Sequence, residues 1–231
     1  CASGTFVPTP NTHFKGAALL SNGELPVSIR FSLGGSNPNT DEKAAGTRGM
    51  GIQIKLPSGA LHTFTGNNFP VFAGKDPETF YGFLSTLLPD ENGKKDPAKT
   101  LAFIQNNPSV QANALWYKTA KTPASFANTE FFGLHTFYFD QANNKRNKLR
   151  REYQKTWAED SDIDPSQQWP SERPKVTLGT VTVNTSGGDA CKNTNFDPNM
   201  MSAGFTPSAD PILSMRSPAY AISFGKRLSN Q

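Results

Sequence analysis

Near the C-terminus Arg216 and Tyr220 stand four residues apart, a spacing that puts both side chains on one face of an α-helix with the guanidinium in reach of the phenol oxygen. A tyrosine phenol titrates near about 10, and a permanent cation beside it stabilises the phenolate, the form able to ligate ferric iron. Tyrosinate is one of the few axial ligands that proteins offer to haem iron. The helix that would carry the pair is legible: Asp210 is a good N-cap and Pro211 suits the first helical position, where its missing N–H is not needed. Pro218 sits between the two, and a proline inside a helix costs about 3 kcal/mol, which marks the stretch as a candidate site. Taken alone, an Arg/Tyr pair at this spacing is more often a surface contact, so the reading depends on the rest of the chain.

Three histidines and two cysteines complete the set of reactive side chains. His135 falls in an apolar, β-rich run, residues 131–139, and reads better as a satisfied buried histidine than as a catalyst. His13 lies in a polar, turn-rich stretch. Cys1 and Cys191 fit neither a zinc nor a redox motif; they could pair in an oxidising compartment or stay as two thiols.

The elements that must position these groups follow from periodicity. Val27, Ile29, Phe31 and Leu33 alternate with Ser28, Arg30 and Ser32, a strand with one apolar and one polar face. Residues 48–56 alternate in the same way up to a Pro-Ser-Gly turn, and residues 61–64 resume. A meander of antiparallel strands is the economical reading, and such strands close into a barrel or sandwich. Asp76-Pro77 starts a helix with Phe80, Phe83, Leu84 and Leu87 on one face. Further helices carry Leu101 and Ile104, then Ala114 to Trp116. The basic run 143–152 reads as exposed and helical, and residues 174–183 as another alternating strand.

The sequence has 231 residues, which suits one domain with a sizeable core, and 17 phenylalanines, which suit a packed aromatic interior or a flat apolar ligand. A net charge of +4, with no basic block interleaved with stacking aromatics apart from residues 145–155, argues against a nucleic-acid partner. No apolar run is long enough to span a bilayer, so no transmembrane segment is expected.

At this point five motifs in order resemble the haem catalases. Residues 26–32 resemble the strand carrying a propionate-binding arginine and a serine behind the distal histidine. Residues 48–52 with Lys55 resemble the next strand. Gly66-Asn67-Asn68-Phe69-Pro70 resembles the segment with the distal asparagine, and Asp76-Pro77 keeps the spacing to Phe80. Residues 133–137 and the Arg216-to-Tyr220 motif complete the series. The shortness of the chain brings it closest to the small bacterial catalase-related peroxidases. The resemblance implies an α+β fold, a catalase-like antiparallel β-barrel with surrounding helices, spanning residues 1–231 as one domain. It implies haem b with Tyr220 as iron ligand beside Arg216, Arg30 on a propionate, Phe80 on the ring, Asn67 orienting peroxide and Ser32 fixing an imidazole tautomer. The activity it implies is reduction of hydrogen or organic peroxides by small organic electron donors, in a periplasmic or secreted protein. A haem-binding or storage protein without turnover, and an enzyme that rearranges hydroperoxides, share the scaffold.

Two departures qualify the expectation. The family's distal His-x-Lys-Gly precedes the Gly-Thr-Phe segment, whereas the similar-looking His13-Phe14-Lys15-Gly16 follows it, leaving His13 a weak candidate for the acid/base. Between Phe139 and Trp169 the family would supply further strands, so segments before residue 1 and after about residue 145 are expected to be missing.

Overall fold

The alternation read in residues 25–33 and 48–56 becomes a pleated sheet with one dry face. A computed structural model describes residues 1–10, 14–35, 39, 41, 43, 46–140, 146–150, 154–155, 161–170, 172–189 and 191–229, with the backbone alone at 140, 146–150 and 154–155. Strands β1 (Ala2–Pro8), β2 (Leu25–Leu33), β3 (Arg48–Lys55) and β4 (Leu61–Asn67) pair antiparallel in sequence order. Strand β8 (Gly179–Ser186) adds to the free edge of β1, giving the order β4-β3-β2-β1-β8. That last pairing shifts register between Ser3 and Gly4, and a Cβ on Gly4 would lie 1.8 Å from the Thr182 carbonyl oxygen, so only glycine fits the approach.

A second sheet, ordered β7-β6-β5-β9, is built from β5 (Phe137–Asp140), β6 (Arg146–Arg150), β7 (Gln154–Lys155) and β9 (Phe205–Pro207). Val27, Ile29, Ile52 and Ile54 from the first sheet share one core with Phe139 and Phe205 from the second. The hydrogen-bond ladders of the described residues thus form two sheets about a common interior.

Over residues 146–150 strand β6 corrects the helical reading of the basic run, the rest of which, 143–145 and 151–152, lies outside the described residues. The backbone of Phe137–Asp140 offers an open edge, and pairing residues 146–149 along it satisfies peptide groups that composition alone does not account for. The run from Phe131 is also shorter as a strand than expected: only residues from 137 onward join the sheet, and Phe132 makes an isolated bridge to Asn67.

Among the described residues four α-helices surround the sheets: α1 (Pro77–Leu87), α2 (Pro97–Asn106), α3 (Pro108–Thr119) and α4 (Pro211–Leu228), each with proline in its first turn. Asp76 caps α1 by accepting from the Thr79 N–H, and Asp96 caps α2 through Ala98 and Lys99. Helix α4 runs unbroken through Pro218. None of the described helices is long and apolar enough to cross a membrane.

Candidate functional site

The polar face of the first sheet is set by register. Across β2, β3 and β4 one row reads Ser32, Gly49, Asn67 and the next Arg30, Gly51, Thr65. Two glycines therefore separate the polar side chains of the outer strands, leaving a shallow floor of bare backbone. A Cβ on Gly49 would come within 2.7 Å of the Ser32 hydroxyl, so the glycine is what lets that hydroxyl lie flat on the sheet.

Helix α4 faces this floor. Asp210 fixes its start: one carboxylate oxygen accepts from the N–H groups of Ile212 and Leu213, the other from Nδ1 of buried His135 at 2.6 Å. Ile212 and Leu213 seal the first turn into the interior, which aims the next turns of the same face at the sheet. On that face the Arg216 guanidinium donates to the Tyr220 phenol oxygen at 2.7 Å, both side chains being half-buried. Arg30, Ser32, Asn67, Arg216 and Tyr220 line one cavity of about 70 Å³, closed by Met50 and Phe196. Five of the residues singled out by spacing or by the resemblance thus converge from three elements far apart in sequence.

Phe80 stands elsewhere. Its ring packs at a tilt against Phe72, centroids 4.6 Å apart, in a second, apolar chamber of about 590 Å³ between the sheet and helices α1 to α3. Asn67 lines both spaces. In the chamber the Tyr117 and Thr47 hydroxyls bond each other at 2.5 Å, and burial pushes the Tyr117 phenol above its ordinary value while that bond acts the other way. His13 lies outside the described residues. His135 is buried and holds Asp210, which matches its reading as a satisfied histidine.

One residue escaped the sequence reading. Arg227, two turns beyond Tyr220 on the same face, donates to the Thr194 carbonyl at 3.2 Å, and its Nε is buried with no acceptor. Burial lowers its pKa, the nearby Arg30 charge lowers it further, and Tyr220 acts in the opposite sense. Among the described residues none of Arg30, Arg216 and Arg227 is paired with a carboxylate. The signal was available: the same helical face that joins Arg216 to Tyr220 continues through Phe224 to Arg227.

Among the described residues no group of three or more His, Cys, Asp or Glu side chains is placed to hold a bare metal ion. The phenol is a lone donor, suited to an iron that arrives within a larger group. The donor set fits an iron porphyrin: one phenol beside a guanidinium for the metal, guanidiniums with no carboxylate partner among the described residues and an orphaned N–H for carboxylates, and packed phenylalanines for a flat ring. The 70 Å³ cavity is too small for such a ring by itself, and the neighbouring chamber of about 590 Å³ shares Asn67 with it.

The sequence model described as catalase matches residues 1–159. The chain is 33% identical to a catalase-related peroxidase of Synechococcus elongatus, over 98% of this chain and 80% of that protein. The chain belongs to the catalase family. A catalase-related peroxidase of Mycolicibacterium paratuberculosis is 28% identical over 95% of this chain and 84% of that protein. The alignment to the first relative runs to 273 positions against 231 residues here, so that relative carries stretches with no counterpart in this chain. Among solved structures, catalase A from Saccharomyces cerevisiae superposes with a TM-score of 0.86 at 18% identity, over 98% of this chain and 59% of that one. A bacterial catalase gives a TM-score of 0.84, with 18% identity, 98% of this chain and 55% of that one. The fold is therefore the α+β catalase fold, and the chain spans little more than half the length of those solved catalases.

Proposed function

We propose that this catalase-family chain is a haem peroxidase with Tyr220 as the axial ligand of haem b, reducing hydrogen or organic peroxides at the expense of small organic electron donors. The observation that carries the reading is the half-buried Arg216–Tyr220 pair at 2.7 Å, facing one cavity with Arg30 and Asn67. In it a fixed positive charge lies beside the oxygen on which a phenolate's charge would sit. Arg30 and Arg227 would take the propionates, satisfying the orphaned Nε of Arg227. Phe72 and Phe80 would flank the ring. When bound, the haem supplies the two electrons that break the peroxide O–O bond and recovers them from the donor in one-electron steps. Asn67 would hold the peroxide by a neutral hydrogen bond, and Ser32 would orient a partner imidazole if His13 or another histidine supplies one. Haem-loaded protein should drive peroxide-dependent oxidation of a chromogenic phenol at least 100-fold faster than the same concentration of free haemin.

One observation favours a second reading, a protein that holds haem without turning over peroxide. Among the described residues no histidine lines the cavity or the chamber, and general acid/base groups in such steps contribute about 100- to 10,000-fold. Tight haem uptake with phenol oxidation no faster than free haemin would select it. The compartment in this reading is periplasmic or extracellular, supported by the Cys1–Cys191 disulfide.

A further inference from the structure

The chamber is walled by phenylalanine, aliphatic and small polar side chains, with one exception. Among the described residues that line it, Tyr117 is the one side chain that gives up an electron readily. Its partly buried phenol bonds the Thr47 hydroxyl at 2.5 Å, and either oxygen can donate. Thr47 is itself partly exposed and follows exposed Gly46, so its hydroxyl links the phenol to water. Burial favours the neutral phenol, and an electron therefore leaves Tyr117 most easily together with that proton. The next residue back along α3 is also aromatic. Trp116 meets the Tyr117 ring edge to face with centroids 5.1 Å apart, and Phe69 packs against both, at 5.8 Å from Tyr117 and 6.3 Å from Trp116. Trp116 does not line the chamber and is partly exposed. Consecutive residues of α3 thus hold one oxidisable ring against the interior space and a second one toward the outside.

A flat ring that the polar cavity cannot hold needs the chamber, and Tyr117 then stands in its wall. A donor carried on a macromolecule cannot follow the ring in between the helices, but it can touch Trp116. Resting on the haem peroxidase reading, we propose that Trp116 and Tyr117 carry electrons from donors at the surface of α3 to the haem, so that phenols too bulky to enter are oxidised. Each electron returned to the haem leaves the Tyr117 phenol, whose O–H bond breaks as its proton passes through the Thr47 hydroxyl to water. Tyr117 recovers an electron from Trp116 and a proton by the same route, and the indole stays a radical cation until a phenolic donor AH reduces it. The donor loses one electron to the indole and one proton to water, and leaves as A•. Two donors serve one peroxide: ROOH + 2 AH → ROH + H2O + 2 A•.

The test mixes haem-loaded full-length chain with an equimolar amount of hydrogen peroxide and no donor, freezes it within the first turnover and reads electron paramagnetic resonance. The expected result is a protein radical whose signal narrows when tryptophan is ring-deuterated. In Trp116→Phe that narrowing disappears and ring-deuterated tyrosine narrows the signal instead; in Tyr117→Phe, which keeps the ring and its packing, the signal is lost. In parallel, each protein oxidises a free phenol and the same phenol grafted onto dextran. The ratio of grafted to free rate falls about tenfold in Trp116→Phe and also in Thr47→Val, which keeps the side-chain volume and removes the proton path. A chain that oxidises free phenol but forms no protein radical, or whose radical is unchanged in Tyr117→Phe, overturns the proposal and leaves the peroxidase reading intact. A grafted phenol that is not oxidised, or a ratio that the variants leave unchanged, does the same. Failure to take up haem at all removes the peroxidase reading and this proposal with it.

Discussion

Arg216 and Tyr220 were legible because helical spacing converts directly into geometry, whereas Asn67 was singled out only by the resemblance to a family motif. A strand places Ser32 and Arg30 on one face, a helix places Arg216 a turn from Tyr220, and the register of β2, β3 and β4 then brings Asn67 beside them. His62 shows what spacing does not reveal. It sits on the apolar side of β4, is 3% exposed, and accepts at Nδ1 from the Ser202 N–H at 3.1 Å, so the ring is neutral. Burial lowers its pKa from 6.5 to about 3. Below pH 6.5 the unfolded chain therefore binds a proton that the folded chain refuses, and stability falls as pH drops toward 3. Urea titrations at pH 7 and pH 5 should differ by about 2 kcal/mol from this residue, and His62→Gln should flatten that part of the acid limb. Equal pH dependence in the variant would show that other groups govern acid unfolding.

At the scale of elements, the Asp210 carboxylate joins α4 to the rest of the protein. It caps the helix and holds a buried histidine at the same time, so Asp210→Ala removes the cap and leaves a buried ring nitrogen without its acceptor. The two losses together should destabilise by about 2–4 kcal/mol, and Asp210→Asn, which can still cap, by about half as much. Thermal and urea unfolding would measure this; a loss under 1 kcal/mol in Asp210→Ala would mean that α4 is anchored by other contacts. The start of α4 could be read from Asp210-Pro211, but its tertiary partner could not, because His135 is 75 residues away in sequence. Helix α1 shows the opposite limit. Its face of Phe80, Phe83, Leu84 and Leu87 was correctly grouped, but a hydrophobic face says only that something apolar covers it, and here the cover is an open chamber. Strand β6 was missed because basic composition carries no strand signal and the edge of β5 decides the pairing.

For the whole molecule, the Cys1–Cys191 bond ties the start of β1 to the segment that closes the site. The sequence left this pairing open because two cysteines 190 residues apart have no spacing to interpret. Beyond Cys191, Thr194 accepts from Arg227, Asn195 accepts from Gln53 at 2.7 Å, and Phe196 closes the cavity against Gly51. Reduction therefore removes a long-range cross-link and loosens the strap over the proposed propionate end. Dithiothreitol should lower stability by about 2–5 kcal/mol and weaken haem retention in the same titration. An unchanged melting temperature with confirmed free thiols would contradict that role. The antiparallel meander, the surrounding helices and the five converging side chains followed from pattern and resemblance. The division into two sheets and the site's division into a small polar cavity and a larger apolar chamber depend on contacts between distant segments.

The central claim is that iron is held by the Tyr220 phenolate beneath the Arg216 guanidinium, and titration of haemin into the protein with its absorption spectrum tests it most directly. The account predicts one haem per chain, with a high-spin ferric spectrum of the phenolate-ligated kind that is lost in Tyr220→Phe and shifted in Arg216→Gln. A Tyr220→Phe protein that binds haem with an unchanged spectrum would contradict it.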